Sequence, residues 1–311
     1  MNKIVFATSN KNKLKEVKQL LKNTEILTLS DIGFNEDINE SGTTFLANAL
    51  IKSRTVYNFL KEKGTPLPVL AEDSGLQIDA LDGAPGIFSS RYSATETEPA
   101  TDENNRKKVL CEMEGIVNRK ANYIAVWVLY NSDNDIIFAE GKTFGEISYA
   151  ESGDLSFGYD PIFYSYDLED KFSEVSLTEK DSVSHRKRAM ENLFSSPTKV
   201  CTMKLNPEYY NLVANGEKTI EVRLFDEKRK SLAVGDIVAF INTENNDITA
   251  TRITSLTRFN NFDSCITNTG TKRVGFNGYS VEDTIKKYRT IYSSDEEERY
   301  GCLAIGIELL H

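Results

Sequence analysis

The chain has 311 residues, long for one ordinary domain and long enough for two with separate cores. Its net charge of -10 argues against loose, charge-driven binding to nucleic acid or to an anionic membrane, and its most apolar stretch, residues 123–130, is far too short to span a bilayer. Residues 200–311 hold 14 basic and 16 acidic side chains, so -8 of the total falls on residues 1–199, and a triphosphate bound there must meet local cations and a metal.

Residues 3–7 form a compact apolar run that reads as a strand. Thr8, Ser9 and Asn10 follow as N-cap types, and Leu14, Val17, Leu20 and Leu21 recur at helical spacing behind them. The free N–H groups of such a helix start attract anions, and Lys13 in its first turn reaches the same place. Glu40 precedes Ser41-Gly42-Thr43-Thr44, where either threonine can cap a helix with an apolar face of Phe45, Leu46, Ala49 and Leu50, and with Lys52 further along. Glu40 reads either as a solvated loop acid or as a metal ligand. Residues 68–71 read as a buried strand that ends in Glu72 and Asp73, and Asp73-Ser74-Gly75 as a turn with Gly75 at positive φ. Two acids at the end of a buried strand are costly unless cations neutralise them.

Asp82-Gly83-Ala84-Pro85-Gly86 opens a structured loop that reaches Arg91, of the kind that closes a site. Val109, Leu110 and Met113 suggest a helix. Residues 123–130, rich in β-branched and aromatic side chains, read as a central strand, with 136–139 and 143–149 as two partners joined at Gly141. A loop over residues 153–163 carries Phe157, Gly158, Tyr159 and Asp160. Lys180 lies before a helix capped by Ser184, which leaves His185 and Arg186 at an anion-attracting helix start. Helical periodicity stops at Phe194, and Ser195-Ser196-Pro197-Thr198 is the expected boundary between domains at 1–196 and 199–311.

Four scattered cysteines, no leader-type segment at the start and no long apolar span point to a reduced cytoplasm, away from membranes. With two histidines in the chain, a His-rich zinc site is excluded, and a metal must be held by oxygen, which favours Mg²⁺ or Mn²⁺.

Together these motifs resemble the inosine triphosphate pyrophosphatase (XTP/dITP diphosphatase) family over residues 1 to about 195. The resemblance rests on Thr8-Ser9-Asn10 with Lys13, Glu40, Glu72-Asp73-Ser74-Gly75, Gly83-Ala84-Pro85-Gly86 with Ser89 and Arg91, Phe157-Gly158-Tyr159-Asp160, and Lys180 with Ser184-His185-Arg186. It implies an α/β fold with a two-lobed mixed sheet, a homodimer through the first domain, and Mg²⁺-dependent cleavage of deaminated purine triphosphates to the monophosphate and pyrophosphate. On that pattern Glu40, Asp73 and Glu72 hold the cation, Asp73 is also the base, and Lys13, Lys52 and Lys180 offset phosphate charge. Phe157 stacks on the base, Asp160 accepts from its ring N–H, and His185, Arg186 or a backbone N–H donates to the 6-keto oxygen. The chain departs from the family pattern at Leu155 and Ser156, where glycine is usual.

Residues 200–311 show short alternating strands that suggest a small β-barrel, with Lys218, Glu221 and Arg223 pointing outward on one strand face to line a cleft or form a salt-bridged surface. This part resembles the ASCH family, related to PUA RNA-binding domains. That implies RNA or a modified nucleoside as ligand, although Glu221 stands where the related acylcytidine amidohydrolases carry a hydroxyl. Two rival functions follow: an RNA-binding protein whose first domain only senses nucleotides, and a bifunctional enzyme whose second domain acts on a modified nucleoside.

Overall fold

The computed structural model describes residues 3–153 and 157–310, so the departure at Leu155 and Ser156 lies outside the described residues. The chain divides into two compact units. The first comprises Met1–Glu40, Asn48–Asn131 and Ile137–Pro197; the second comprises Thr198–His311 with the short segments Ser41–Ala47 and Ser132–Ile136.

The first unit runs β1 (Lys3–Phe6), α1 (Lys11–Leu20), β2 (Glu25–Leu27), α2 (Phe45–Glu62), β3 (Val69–Ile78), α3 (Asp102–Glu112), β4 (Lys120–Ser132), β5 (Asp135–Ile147), β6 (Phe163–Ser165), β7 (Asp170–Lys171), α4 (Leu177–Ser182) and α5 (His185–Ser195). Its sheet is mixed, in the order β2-β1-β3-β4-β5, with β1 parallel to β2 and β3, and β3 antiparallel to β4. Two hydrophobic clusters are strung along the same long strands. One gathers Ile4, Phe6, Leu70, Trp127 and Leu193; the other gathers Leu76, Ile78, Ala121, Tyr123 and Phe163. Glu72, Asp73 and Ser74 occupy the stretch of β3 between them.

Two expected breaks in the strands are absent. β3 continues through Asp73-Ser74-Gly75 to Ile78, with Gly75 opposite Ile124 of β4, and Gly75 is not at positive φ. The continuous β4 ladder satisfies the backbone there, which a turn would leave unpaired. Likewise β5 passes through Gly141 as one strand. Gly141 serves close approach instead: a Cβ there would meet Ala189 N at 2.2 Å and the His185 carbonyl at 2.5 Å, so α5 lies directly on β5.

The second unit runs β8 (Thr198–Leu205), α6 (Pro207–Ala214), β9 (Ile220–Leu224), β10 (Ile237–Asn242), β11 (Ile248–Phe259), α7 (Phe262–Thr269), α8 (Val281–Ile291), α9 (Ser294–Tyr300) and β12 (Cys302–Leu309). Its strands are ordered β8-β10-β11-β12-β9, with β8 parallel to β10 and the other pairs antiparallel. Arg223 of β9 donates to the Lys204 carbonyl of β8 at 3.0 Å, so the two ends of this order curl together as the barrel reading expects. Among the described residues no helix is long and apolar enough to cross a membrane. The four cysteines are free thiols.

Candidate active site

A cavity of about 590 Å³ opens in the first unit, lined by residues from α1, α2, β3, the 86–91 turn, residues 157–160 and the start of α5. Asn10 caps α1, and its side chain accepts from the backbone of Asn12 and Lys13 at 2.9 and 3.2 Å. Those donors are therefore already engaged, and Thr8, Ser9 and Lys13 all stand on the cavity wall. Thr44 caps α2, accepting from Ala47 N at 3.1 Å. Lys52 and Asn48 then lie one helical turn apart on one face, aimed at β3.

The cavity floor is a chain of buried charge. Glu72 is flanked by Lys13 Nζ at 2.6 Å and by Arg186 Nε at 3.1 Å. Burial alone would push its carboxyl up, but those two cations reverse this and hold it well below the ordinary carboxylate range. Asp73 differs. Asn48 donates to it at 3.1 Å, and Lys52 lies 3.4 Å away while reaching Glu40 at 2.8 Å. Burial, with Glu40 and Glu72 nearby, pushes the Asp73 carboxyl up despite the lysines. The same two carboxylates, Asp73 and Glu40, outweigh burial at Lys52 and hold its ammonium above the ordinary value. Adjacent acids on one strand are thus tuned in opposite directions. Among the described residues no three His, Cys, Asp or Glu side chains converge as a ready-made metal cage. The acids beside the cavity are hard oxygen donors of the kind that complete a Mg²⁺ shell with water and phosphate oxygens.

Arg186, expected to donate to the base, lines the cavity and is also held by three side chains. Its guanidinium donates to Glu72, to both oxygens of Glu16 at 3.1 Å, and to Ser74 Oγ at 3.2 Å. Three anionic or polar partners surround it because α1 and β3 both place side chains against the start of α5. Glu16 was not foreseen, although its spacing from Lys13 on one face of α1 is the signal that could have found it. Asn48, spaced from Lys52 in the same way on α2, is a second such residue.

The other end of the cavity is aromatic. Phe157 is 44% exposed, and Lys180 Nζ stands 5.7 Å from its ring centroid. Lys180 pairs with Asp160, which places this cation at the aromatic end and not beside the Glu72–Asp73 floor. Gly158 is gripped on both sides by α3: its N–H donates to Asp102 at 2.8 Å and its carbonyl accepts from Arg106 at 2.9 Å. Tyr159 donates to the Ser89 carbonyl at 2.7 Å. His185 is buried, and burial together with the Arg186 charge depresses its pKa well below the ordinary value, so the imidazole is neutral. Ser184 caps its helix, accepting from Lys187 N at 3.3 Å, and Trp127 Nε1 donates to the Arg186 carbonyl at 3.1 Å. Arg91 ends the 86–91 turn on the cavity rim, over the Phe88 ring at 5.2 Å.

In the second unit, Lys218 and Glu221 are buried rather than outward, and Arg223 is largely so. Glu221 sits between the two cations, 3.2 Å from Lys218 and 2.7 Å from Arg223. The Val274 carbonyl and the Tyr292 hydroxyl cover this face, taking Lys218 at 2.6 Å and Arg223 at 3.4 Å. The trio is an ion-paired cluster, of which Lys218 also lines a cavity of about 360 Å³ together with Thr219, Thr251, Thr254 and Glu308, while Glu221 and Arg223 do not.

Comparison with known proteins matches two parts of the chain separately. Residues 4–196 match the Ham1 family and residues 203–311 match the ASCH domain. The chain is 41% identical over 198 residues to the dITP/XTP pyrophosphatase of Clostridium perfringens, covering 62% of this chain and 96% of that one. It is 40% identical over 188 residues to the dITP/XTP pyrophosphatase of Treponema denticola, covering 60% and 94%. Among solved structures, a HAM1 protein from Coxiella burnetii superposes with a TM-score of 0.56 at 39% identity, over 62% of this chain and 96% of that one.

Proposed function

Since the chain belongs to the Ham1 family through residues 4–196, we propose that it hydrolyses the deaminated purine triphosphates ITP, dITP and XTP to the monophosphate and pyrophosphate, and so cleans the nucleotide pool. The observation that carries this reading is the geometry at Asp73: a buried carboxylate held by Asn48 at 3.1 Å and Lys52 at 3.4 Å that faces a cavity walled by Lys13 and Lys52. Such a group suits a general base that takes the proton of an attacking water.

Glu40 and Asp73 would hold Mg²⁺ or Mn²⁺, since they carry oxygen donors and share the single ammonium of Lys52 between two negative charges. When bound, that ion neutralises phosphate charge and lowers the pKa of water. Glu72 already lies between two cations, so we assign it to holding Lys13 and Arg186 in place. Lys13, Thr8 and Ser9 bind the phosphates, and Lys52 balances charge at the reacting group. Phe157 stacks on the base. Asp160 accepts from the ring N–H next to the 6-keto oxygen, and Lys180 donates to that oxygen, whereas adenine would set an amino group against Lys180 and an acceptor against Asp160. Arg186 acts from behind, by fixing Glu72 and Ser74.

For the rest of the chain we assign the ASCH domain a nucleotide- or RNA-related role, the assembly a homodimer through the first domain, and the compartment the cytoplasm, which the free thiols favour. The test is a pyrophosphate-release screen over ITP, XTP, dITP, modified pyrimidine triphosphates and the four standard nucleotides, with and without Mg²⁺. The expected result is Mg²⁺-dependent release with kcat/KM for ITP and XTP about a hundredfold above ATP, the span of one mispaired buried polar contact. Equal turnover of ATP and ITP, or none of either, overturns the reading.

A further inference from the structure

Tyr123 has no part in the mechanism so far, yet it lines the cavity beside Asp160 and His185. It stands on β4 opposite Leu76 of β3, with its side chain buried. Its ring stacks on His185, with centroids 5.0 Å apart and planes 12° from parallel, and on Phe172 at 5.9 Å and 8°. Phe163 closes a third side at 4.7 Å. A ring packed on three sides and carried by a paired strand has little freedom, so its hydroxyl is a fixed point.

That hydroxyl donates to Asp160 Oδ1 at 3.2 Å, while Lys180 holds Oδ2. Asp160 itself sits on a single turn, residues 160–162, directly after the aromatic loop. Its backbone is held within that turn, the N–H donating to the Phe157 carbonyl at 3.2 Å, and the two side-chain donors orient its carboxylate. Each oxygen keeps a lone pair beyond the one engaged, so the group can still accept. Burial pushes the Asp160 carboxyl up, with Lys180 and the Tyr123 hydroxyl pulling it back toward the ionised form. Burial and the neighbouring Asp160 charge raise the Tyr123 phenol well above its ordinary value, so the phenol stays protonated and can only donate to Asp160.

We propose that Tyr123 is a positioning residue for base selection: it holds Asp160 as an oriented acceptor for the ring N–H of 6-keto purines and so disfavours adenine, whose matching nitrogen is itself an acceptor. The proposal rests on the reading that Asp160 meets the base, and the experiment separates the two. In the full-length protein, kcat/KM for ITP and for ATP is measured for wild type, Tyr123→Phe, Asp160→Asn and the double variant, with thermal unfolding as a check on folding. Tyr123→Phe retains the stacked ring and removes one hydrogen bond to a charged group, so the ITP-to-ATP ratio should fall about tenfold. In the Asp160→Asn background the same change should leave the ratio within about twofold, because Tyr123 acts through that carboxylate. A proportional loss on both substrates would make Tyr123 structural and overturn the proposal, as would an equal drop in ratio with and without Asp160. An Asp160→Asn protein with an unchanged ratio would instead remove Asp160 as the base reader, a failure of the underlying reading.

Discussion

The two units each bury a cluster of charge, and the clusters are built to different ends. In the first, Glu40, Glu72 and Asp73 face Lys13, Lys52 and Arg186 on the wall of a cavity, and Glu16 pairs with Arg186. Acids outnumber bases there, and the surplus settles on Asp73, whose carboxyl is pushed up by burial and by Glu40 and Glu72. In the second, Glu221 lies between Lys218 and Arg223 under a covering carbonyl and phenol. There burial pushes Glu221 up, but the two cations override it and hold the carboxyl below the ordinary range. A carboxylate gripped from both sides is a structural strut, as Glu72 also is. A carboxylate short of cations and open to a cavity can still take a proton or a metal. The difference is one of charge balance and access, not of residue type.

The sharpest way to break this comparison is Asp73→Asn. The change retains shape and the Asn48 contact but removes the base and one metal charge. We expect kcat for ITP to fall about a thousandfold, with circular dichroism and unfolding temperature close to wild type because a costly charge has been removed. A folded Asp73→Asn protein at the wild-type rate would end the mechanism.

Glu221→Gln attacks the other cluster. It strands two buried cations, which should destabilise the second unit by about 3 kcal/mol, read by urea unfolding of the full chain. The pH sign follows from the direction of the shift. A carboxyl whose folded pKa is depressed contributes stability that is present above its unfolded value, about 4.3, and is lost as pH falls through the folded value. The acid-induced loss of stability should therefore be steeper in wild type than in Glu221→Gln. Parallel pH profiles would show that Glu221 is not a charged strut.

How much of this was legible beforehand varies residue by residue. Asp73, Glu40, Lys13 and Lys52 could be named because buried acids demand cations and the chain supplies them at capped helix starts. The cap residue Ser184 followed from local chemistry alone, and Asn10 was one of three caps that chemistry offered. What could not be read is which cation meets which acid, because that depends on elements far apart in sequence. Arg186 lines the cavity, but its ties to Glu72, Glu16 and Ser74 arise only where α1, β3 and α5 meet. Glycine misled twice for one reason. Gly75 and Gly141 look like turn formers locally, but a flanking strand and a crossing helix put them in extended backbone. Tyr123 was visible only as part of an apolar strand; its hydroxyl gained a role once Asp160 arrived beside it.

The smallest expected effect tests whether the two clusters are independent at all. Every proposed catalytic residue precedes Pro197, and the first unit holds its own hydrophobic clusters and its own cavity. The family matches also part here, with residues 4–196 on one side and 203–311 on the other. A chain ending at Ser196 should therefore fold, dimerise and retain kcat/KM for ITP within about twofold of the full protein, since a domain with its own core folds alone. Two segments make this a demanding test. Ser41–Ala47 and Ser132–Ile136 group with the second unit, and the first of them follows Glu40 and leads into the helix that carries Lys52. A truncated chain that folds yet loses affinity for the divalent cation would show that the units are not independent, because Glu40 and Lys52 flank that segment. Pyrophosphate release titrated with Mg²⁺, compared between the truncated and full chains, separates the outcomes. An unchanged Mg²⁺ midpoint supports independent units. A midpoint shifted upward tenfold or more with the fold intact would show that the units are not independent.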